Sequence, residues 1–577
     1  MPADQSGLTG NQVDTVAARQ STLIDSSSEF ANKHLPTVQR TSAGLEPYTG
    51  PWGISQVSHL LRRAMFGAAK SDIEVLQQHS LADAVDLLLA VPPPEPSAPL
   101  AYDTRELVPI GDTWVYQPYK SPDATVTFVP TGIRTTSLKC WWLGLMLDQP
   151  LSIREKMVLF WHNHFVTAVG TVGDPRFSYR YLTLLRTNAL GNFRTLVKQV
   201  TVDGAILRYL NGNTNTKSSP NENYGRELQE LFTIGKGPEI ASGDYTNYTE
   251  NDVKAAARVL TGWRDDAAPL TSPSTDAWRF DATRHDTADK QFSERYGNTV
   301  ITGRSGADGA LELDDLVAMI LAQPETARAL CRQLYRWFVY YLIDAQTEAS
   351  VIEPMAAILR SNNYEVLPAL RALLTSAHFY DAVNMGCVIK SPLDFVVGLC
   401  RQLSMKIPSA DVPQRYTFLA YLLSQASSMQ QNLGDPPNVA GWAAYYQLPQ
   451  YYELWISSDT LPRRNAMTGT MARAGYSNGG ATLAIDSLAF VRSLTNPGDA
   501  VSLIDDAAQR LYAIPLTQNQ KAFLKDTLVP GLPDYEWTAE WNSYVADPTN
   551  VQKSAPVRTK LEALLSTMLR MPEYQLS

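Results

Sequence analysis

Cysteine is scarce in this chain, with four in 577 residues. Cys140, Cys331, Cys387 and Cys400 form no CxxC pair, which excludes the zinc-ribbon and thioredoxin signatures. Cys331 and Cys400 sit in apolar helical patterns and are expected to be buried, inert thiols. Cys387 and Cys400 are near enough in sequence to bridge in an oxidising compartment. No segment approaches 18 consecutive apolar residues, the length a membrane-spanning helix needs, so no span is expected. Runs of like charge are also missing, and the net charge of −9 is spread over the chain. Nucleic acid is therefore excluded as a partner, because phosphate binding needs clustered Lys and Arg. There is no GxSxG and no P-loop, which disfavours an α/β-type serine hydrolase and a phosphate-binding ATPase and leaves no nucleotide cofactor expected. HExxH and the Glu-x-x-His pairing of di-iron bundles are absent as well. The first 50 residues lack the basic start, apolar core and small-residue cleavage site of a secretory signal. Taken literally the chain is cytoplasmic, although an exported chain trimmed of its signal would look the same.

What is present is ordinary globular material: 44% apolar and 19% charged residues, with 12 Trp and 27 Tyr for core building. Length allows roughly three to four domain-sized units as an upper bound. Residues 1–50 read as a flexible extension. Helical periodicity begins with Ile54, Val57, Leu60, Leu61 and Ala64, with Gly67 in the position of a C-terminal glycine. Capping boxes are expected at Ser71/Glu74, Ser80/Asp83 and Thr249/Asp252. This N-terminal helical part, 51–92, meets Pro92-Pro93-Pro94-Glu95-Pro96, and residues 93–135 form a Pro-rich irregular connector. A main helical domain covers 136–470 and a C-terminal helical region 471–577. The fold class is all-α: a large multi-helix assembly, with one or two lobes and long ordered loops.

Three elements offer chemistry. In a helix taken from Met157 to Ala168, His164 shares a stripe with Phe160 and Trp161, while His162 lies on another apolar stripe. At i and i+2 the two rings diverge by about 200°, so they cannot easily share one metal ion. His164 is the candidate for function and His162 for a satisfied core residue. The helix from Glu222 places Asn223, Glu227 and Glu230 along the flank of an apolar stripe. This is either a surface salt-bridge ladder with Arg226 or a cavity edge where Glu227 is a metal ligand or a general base. The third element, His285-Asp286, lies in the long polar stretch 264–310, as site residues on loops often do.

Together, His164, Glu227 and His285 form a candidate metal set. Glu227, His164 and Asp286 are the candidate catalytic residues, with Asp286 orienting His285. Imidazole and carboxylate ligands suit a divalent transition metal, zinc, iron or manganese, better than calcium. The resulting expectation is a metal-assisted enzyme, hydrolase over oxidoreductase, acting on a small-molecule or polymer substrate. The alternative is a non-catalytic binding or scaffolding protein. Asn223, Arg332 and Trp455 are the candidate substrate contacts. Arg332 and Arg336, on one helix with Tyr335 and Trp337, can equally bind an anionic group or cap neighbouring carboxylates. Tyr445, Tyr446, Tyr451, Tyr452 and Trp455 can line a carbohydrate-type or aromatic binding cleft. Pro437–Trp442 reads as a rigid turn with a buried Trp, and Lys390 as a cation at a helix C-terminus.

Several words stand in a fixed order: Leu60-Leu61-Arg62-Arg63-Ala64-Met65-Phe66-Gly67, Phe160-Trp161-His162-Asn163-His164-Phe165, Asn221 to Leu228, Leu231 to Gly235, Leu260-Thr261-Gly262-Trp263, His285-Asp286, Lys390-Ser391-Pro392 and Pro437 to Trp442. On these the chain resembles a large bacterial family catalogued as domain of unknown function 1800. The resemblance covers roughly residues 55–470. It implies no reaction. It does imply frequent export, and genes often placed beside a second exported, sulfatase-like family, hence an operon-encoded partner protein.

Overall fold

A computed structural model describes residues 41–577, apart from 91–94, 119, 121–127, 243, 268–269, 271–275 and 448–449. Most of the expected N-terminal extension lies outside the described residues. Its last part is docked: Tyr48 N–H donates to Thr375 O at 2.9 Å and Ala377 N–H to Glu46 O at 2.7 Å.

Ser42–Ser577 is one compact unit, and its architecture is mainly α. Among the described residues, strands occur only as four antiparallel two-stranded pairs. The helix Ile54–Ala64 forms because Val57, Leu60, Leu61 and Ala64 put one fully buried stripe against the core. Past its end, Gly67 adopts φ +80°, and a Cβ there would stand 2.9 Å from the Cα of Gly398. The glycine is thus needed twice, for its backbone conformation and for a close approach to the helix Pro392–Gln402.

The capping expectations divide. Ser80 accepts from Asp83 N–H, and Thr249 with Asp252 forms a full reciprocal box. Ser71 does not cap. The chain enters that helix at Lys70, so Ser71 is already inside the first turn, where its hydroxyl meets Asp72 at 3.4 Å.

The helix carrying the two histidines spans Arg154–His164 and stops earlier than the periodicity predicts. Phe165 leaves it with ψ 77°, and Val169 N–H then bonds Gly434 O at 3.0 Å. Every residue of this helix except Asn163 is buried, including Arg154, Glu155 and Lys156. The polar stretch 264–310 is more regular than a loop. Trp263–Asp265 pairs with Trp278–Phe280, and Lys290–Gln291 with Val300–Ile301.

Candidate functional site

The two histidines of the expected metal set have separate partners. His164 Nε2 lies 3.0 Å from Phe232 O and its Nδ1 2.8 Å from Gln333 Oε1. It therefore reaches the chain just beyond the helix Glu222–Glu230, and both ring nitrogens are occupied. Burial lowers its proton affinity, against hydrogen bonds that raise it, so the ring is neutral near pH 7.

His285 is engaged elsewhere. Its Nδ1 lies 2.9 Å from Thr261 O, and its Nε2 lies 3.1 Å from Glu312 Oε1. Glu312 also accepts from Lys290 at 2.5 Å and from Arg304 N–H at 2.7 Å. Burial disfavours charge on Glu312, but the hydrogen bonds from His285 and Lys290 outweigh it and hold the carboxyl below its usual range. Asp286 does not orient His285. It pairs with Arg258 at 2.7 Å and accepts from Ala288 N–H at 2.9 Å. This word is a structural lock that holds the hairpin Lys290–Ile301 against its neighbours.

Glu227 is half-buried, and its carboxylate has no hydrogen-bond partner among the described residues. Burial, then the nearby Glu230 carboxylate, raise its pKa to about 7. Asn223 is exposed. Arg332 is held by Glu325 at 2.5 Å and Glu348 at 2.6 Å, so its guanidinium is taken up by neighbouring carboxylates. Lys390 precedes a helix whose N-cap is Ser391, and its ammonium goes to Tyr574 O at 2.5 Å. Among the described residues, no three His, Cys, Asp or Glu side chains are grouped so as to hold a metal ion.

One turn beyond Arg332, the helix Pro324–Phe338 presents Arg336 and Trp337 to two adjoining cavities of unequal size. Both cavities are lined by Arg336, Trp337 and Tyr445. The smaller takes Tyr341, Tyr451, Tyr452 and Trp455 as further aromatic wall. The larger adds Phe160, Asn163, His164, Gln333 and Tyr446. Trp337 and Tyr445 pack at 4.3 Å between ring centroids, and Tyr341 lies over Tyr451 at 4.7 Å. Tyr451 takes φ +41°, a left-handed conformation costly for an aromatic residue. Such strain collects where the surrounding structure must hold a side chain in a set place.

The scaffold of this cleft joins the words noted in the sequence. Asn163, the one residue of its helix that is not buried, accepts from Trp442 N–H at 2.9 Å. Gly441, at φ +91°, lets the backbone pass where a Cβ would meet Asn163 Oδ1 at 2.4 Å. Trp442 is buried in the turn, and the short helices Ala443–Tyr445 and Tyr451–Trp455 then carry the aromatic wall.

The smaller cavity is also lined by Arg62, Arg63, Lys156, Ser391 and Asp394. Arg63 donates to Phe338 O at 2.8 Å and to Val339 O, closing the end of the helix that carries Arg336. Lys156 is paired with Asp394 and lies 4.8 Å over the Phe66 ring. Burial pulls the Arg62 guanidinium down to about 10. Sequence reasoning did not place Arg62, Arg63, Lys156 and Asp394 in a site. The signal was there: from Pro47 to Ser71 no Asp or Glu occurs, so the Arg62-Arg63 pair has no carboxylate on its own helix.

Fold and site together define a large helical protein around a cation-floored, aromatic-walled cleft. The chain belongs to the family described as "Protein of unknown function (DUF1800)", whose model matches residues 59–576. No curated protein and no solved structure matches it.

Proposed function

We propose that this protein is a binding protein for a ring-bearing ligand of the carbohydrate type, held in the double cleft. The observation that carries this reading is that both cavities share Arg336, Trp337 and Tyr445, so one ligand can run across both along a single aromatic wall. Sugar rings bind by laying C–H faces on aromatic rings, while neighbouring polar groups take the hydroxyls. Asn163, Gln333 and Ser391 supply such groups.

The metal-assisted hydrolase with His164, Glu227 and His285 takes second place. Its support is the unpartnered Glu227, whose pKa near 7 would suit a base. Against it, His164 and His285 are bonded to different neighbours. Nor does the lining suit glycoside hydrolysis without a metal, which needs two facing carboxylates. Among the described residues, Asp394 is the only carboxylate side chain in the lining of either cavity, and Lys156 is bonded to it. A binding component that presents its ligand to a second protein, as the expected operon partner would require, fits this chemistry.

Trp337 and Trp455 make the test direct, since intrinsic fluorescence should report ligand entry. Neutral and acidic oligosaccharides titrated into the full chain should give saturable changes. Tyr445→Ala and Tyr446→Ala should each weaken binding by about tenfold, the equivalent of ~1.4 kcal/mol for one stacking ring. Binding that both variants leave unchanged would overturn the proposal. Stoichiometric transition metal in untagged protein, lost in Glu227→Gln, would restore the hydrolase.

A further inference from the structure

The cleft holds more positive charge than its own carboxylates answer. Among the described residues, four cationic side chains, Arg62, Arg63, Lys156 and Arg336, line the smaller cavity against the Asp394 carboxylate and the terminal residue Ser577. Behind them Lys390 and Arg464 are buried too. Their partners are neutral: Lys390 bonds Tyr574 O at 2.5 Å, and Arg464 bonds Lys390 O at 2.9 Å. Arg63 is satisfied by carbonyls and, at 3.3 Å, by Ser577 Oγ.

Two of the lining cations keep donors in hand. Arg62 is 4% exposed, gives Nη2 to Arg510 O at 2.9 Å, and leaves its buried Nε without an acceptor. Arg336 donates its Nε to Tyr341 O at 3.3 Å, and no hydrogen bond reaches either of its terminal nitrogens among the described residues. A buried ion without a counter-charge costs several kcal/mol, and an unmet buried donor adds to that. Guanidinium groups present paired N–H bonds that match the oxygens of an oxyanion.

We propose that the smaller cavity is an oxyanion subsite, in which Arg62 and Arg336, with Lys156 beside them, bind a phosphate or sulfate group. Building on the cleft as the ligand site, this makes the ligand an acidic saccharide that carries its ester group into that cavity, with its rings along Trp337 and Tyr445. Arg336 is the specificity residue, because it lines both cavities and, besides its Tyr341 bond, meets only the Tyr451 ring, 6.0 Å away, among the described residues.

The experiment is a thermal-shift and calorimetric titration of the full chain with inorganic phosphate and sulfate at fixed ionic strength, with chloride as reference. A saturable rise in Tm is expected for wild type. It should be lost in Arg336→Gln and kept in Arg463→Gln, a surface arginine paired with Asp459. Because Arg336 makes one backbone hydrogen bond, its variant should fold, and circular dichroism checks that it does. A shift that is linear in anion concentration, or equal in wild type and Arg336→Gln, overturns the subsite.

A phosphorylated or sulfated oligosaccharide and its neutral counterpart form the second arm. At least a tenfold preference for the ester, abolished by Arg336→Gln, places the group on a saccharide. Equal binding of both sugars by wild type and variant refutes the oxyanion subsite and leaves the aromatic cleft standing. Saturable inorganic phosphate binding with no saccharide binding refutes the cleft reading and the saccharide ester, and leaves a site for the free ion.

Discussion

Asn163 Oδ1 accepts the backbone N–H of Trp442 at 2.9 Å, and this one bond ties the histidine helix to the turn that carries the aromatic wall. The turn fits only because position 441 has no side chain. In Gly441→Ala the new methyl would sit 2.4 Å from Asn163 Oδ1 on a backbone at φ +91°. A loss of about 2–4 kcal/mol is expected from the strained backbone and the steric conflict together. Urea denaturation measures it. Because the same turn sets Tyr445 and Tyr446, ligand affinity should fall with stability, and an unchanged affinity would mean that the wall is positioned by other contacts.

Asp394 should be the most sensitive side chain of the cleft. It accepts from Lys156, and Ser391 Oγ donates to it at 2.9 Å. Asp394→Asn keeps the shape and removes the carboxylate side chain that faces the lining cations. Breaking a buried pair from one side costs about 3–5 kcal/mol, since the remaining charge is left alone. Denaturant midpoints compared between the variant and wild type check this. A loss below about 1 kcal/mol would show that solvent already screens Lys156.

Glu312 offers a parallel case away from the cleft. Glu312→Gln would leave Lys290, itself fully buried, without its counter-charge and weaken the contact to His285. A destabilisation of about 3 kcal/mol is expected, with ligand affinity unaltered. Were His285 part of a working site, affinity or activity would fall before stability did, and stability and binding measured on the same variant separate the two roles.

The helices were legible in the sequence because burial imposes a period on them. Val57, Leu60, Leu61 and Ala64 announce one helix, and Thr249 with Asp252 announces the start of another. Helix ends were less so: past His164 the Phe165 carbonyl accepts from the Tyr181 hydroxyl and Val169 N–H goes to Gly434 O, partners that no local pattern announces. The aromatic wall at Tyr445–Trp455 could be read from composition, since rings that dense rarely stay in water. The cationic floor could not, because Arg62, Lys156, Arg336 and Asp394 come from four helices and only tertiary packing shows that they share a cavity. His164, Glu227 and His285 failed to converge for a related reason. His164 and His285 have chemistry that a metal would accept, but nearer hydrogen-bond partners, Phe232 O and Gln333 for the first and Thr261 with Glu312 for the second, engage them.

Glu227 gives the protein a pH dependence of definite sign. Burial, and then the Glu230 carboxylate, raise its carboxyl to about 7, above the 4.5 usual for a glutamate. The folded state therefore holds a proton between those values that the unfolded chain has released. Stability from this group is present below the unfolded pKa and is lost as pH rises through about 7. Discounted for its partial exposure, the effect is about 1–2 kcal/mol. Asp203, also raised to about 7 by burial, acts in the same direction, so wild type alone cannot isolate Glu227. Glu227→Gln can: the amide resembles the protonated acid, so the variant should match wild type at pH 5 and exceed its Tm at pH 8. Thermal melts of both proteins across that range decide the matter. A variant that is less stable than wild type at pH 8 would show that the carboxylate has a cationic partner after all, and the metal-ligand role for Glu227 would regain its physical basis.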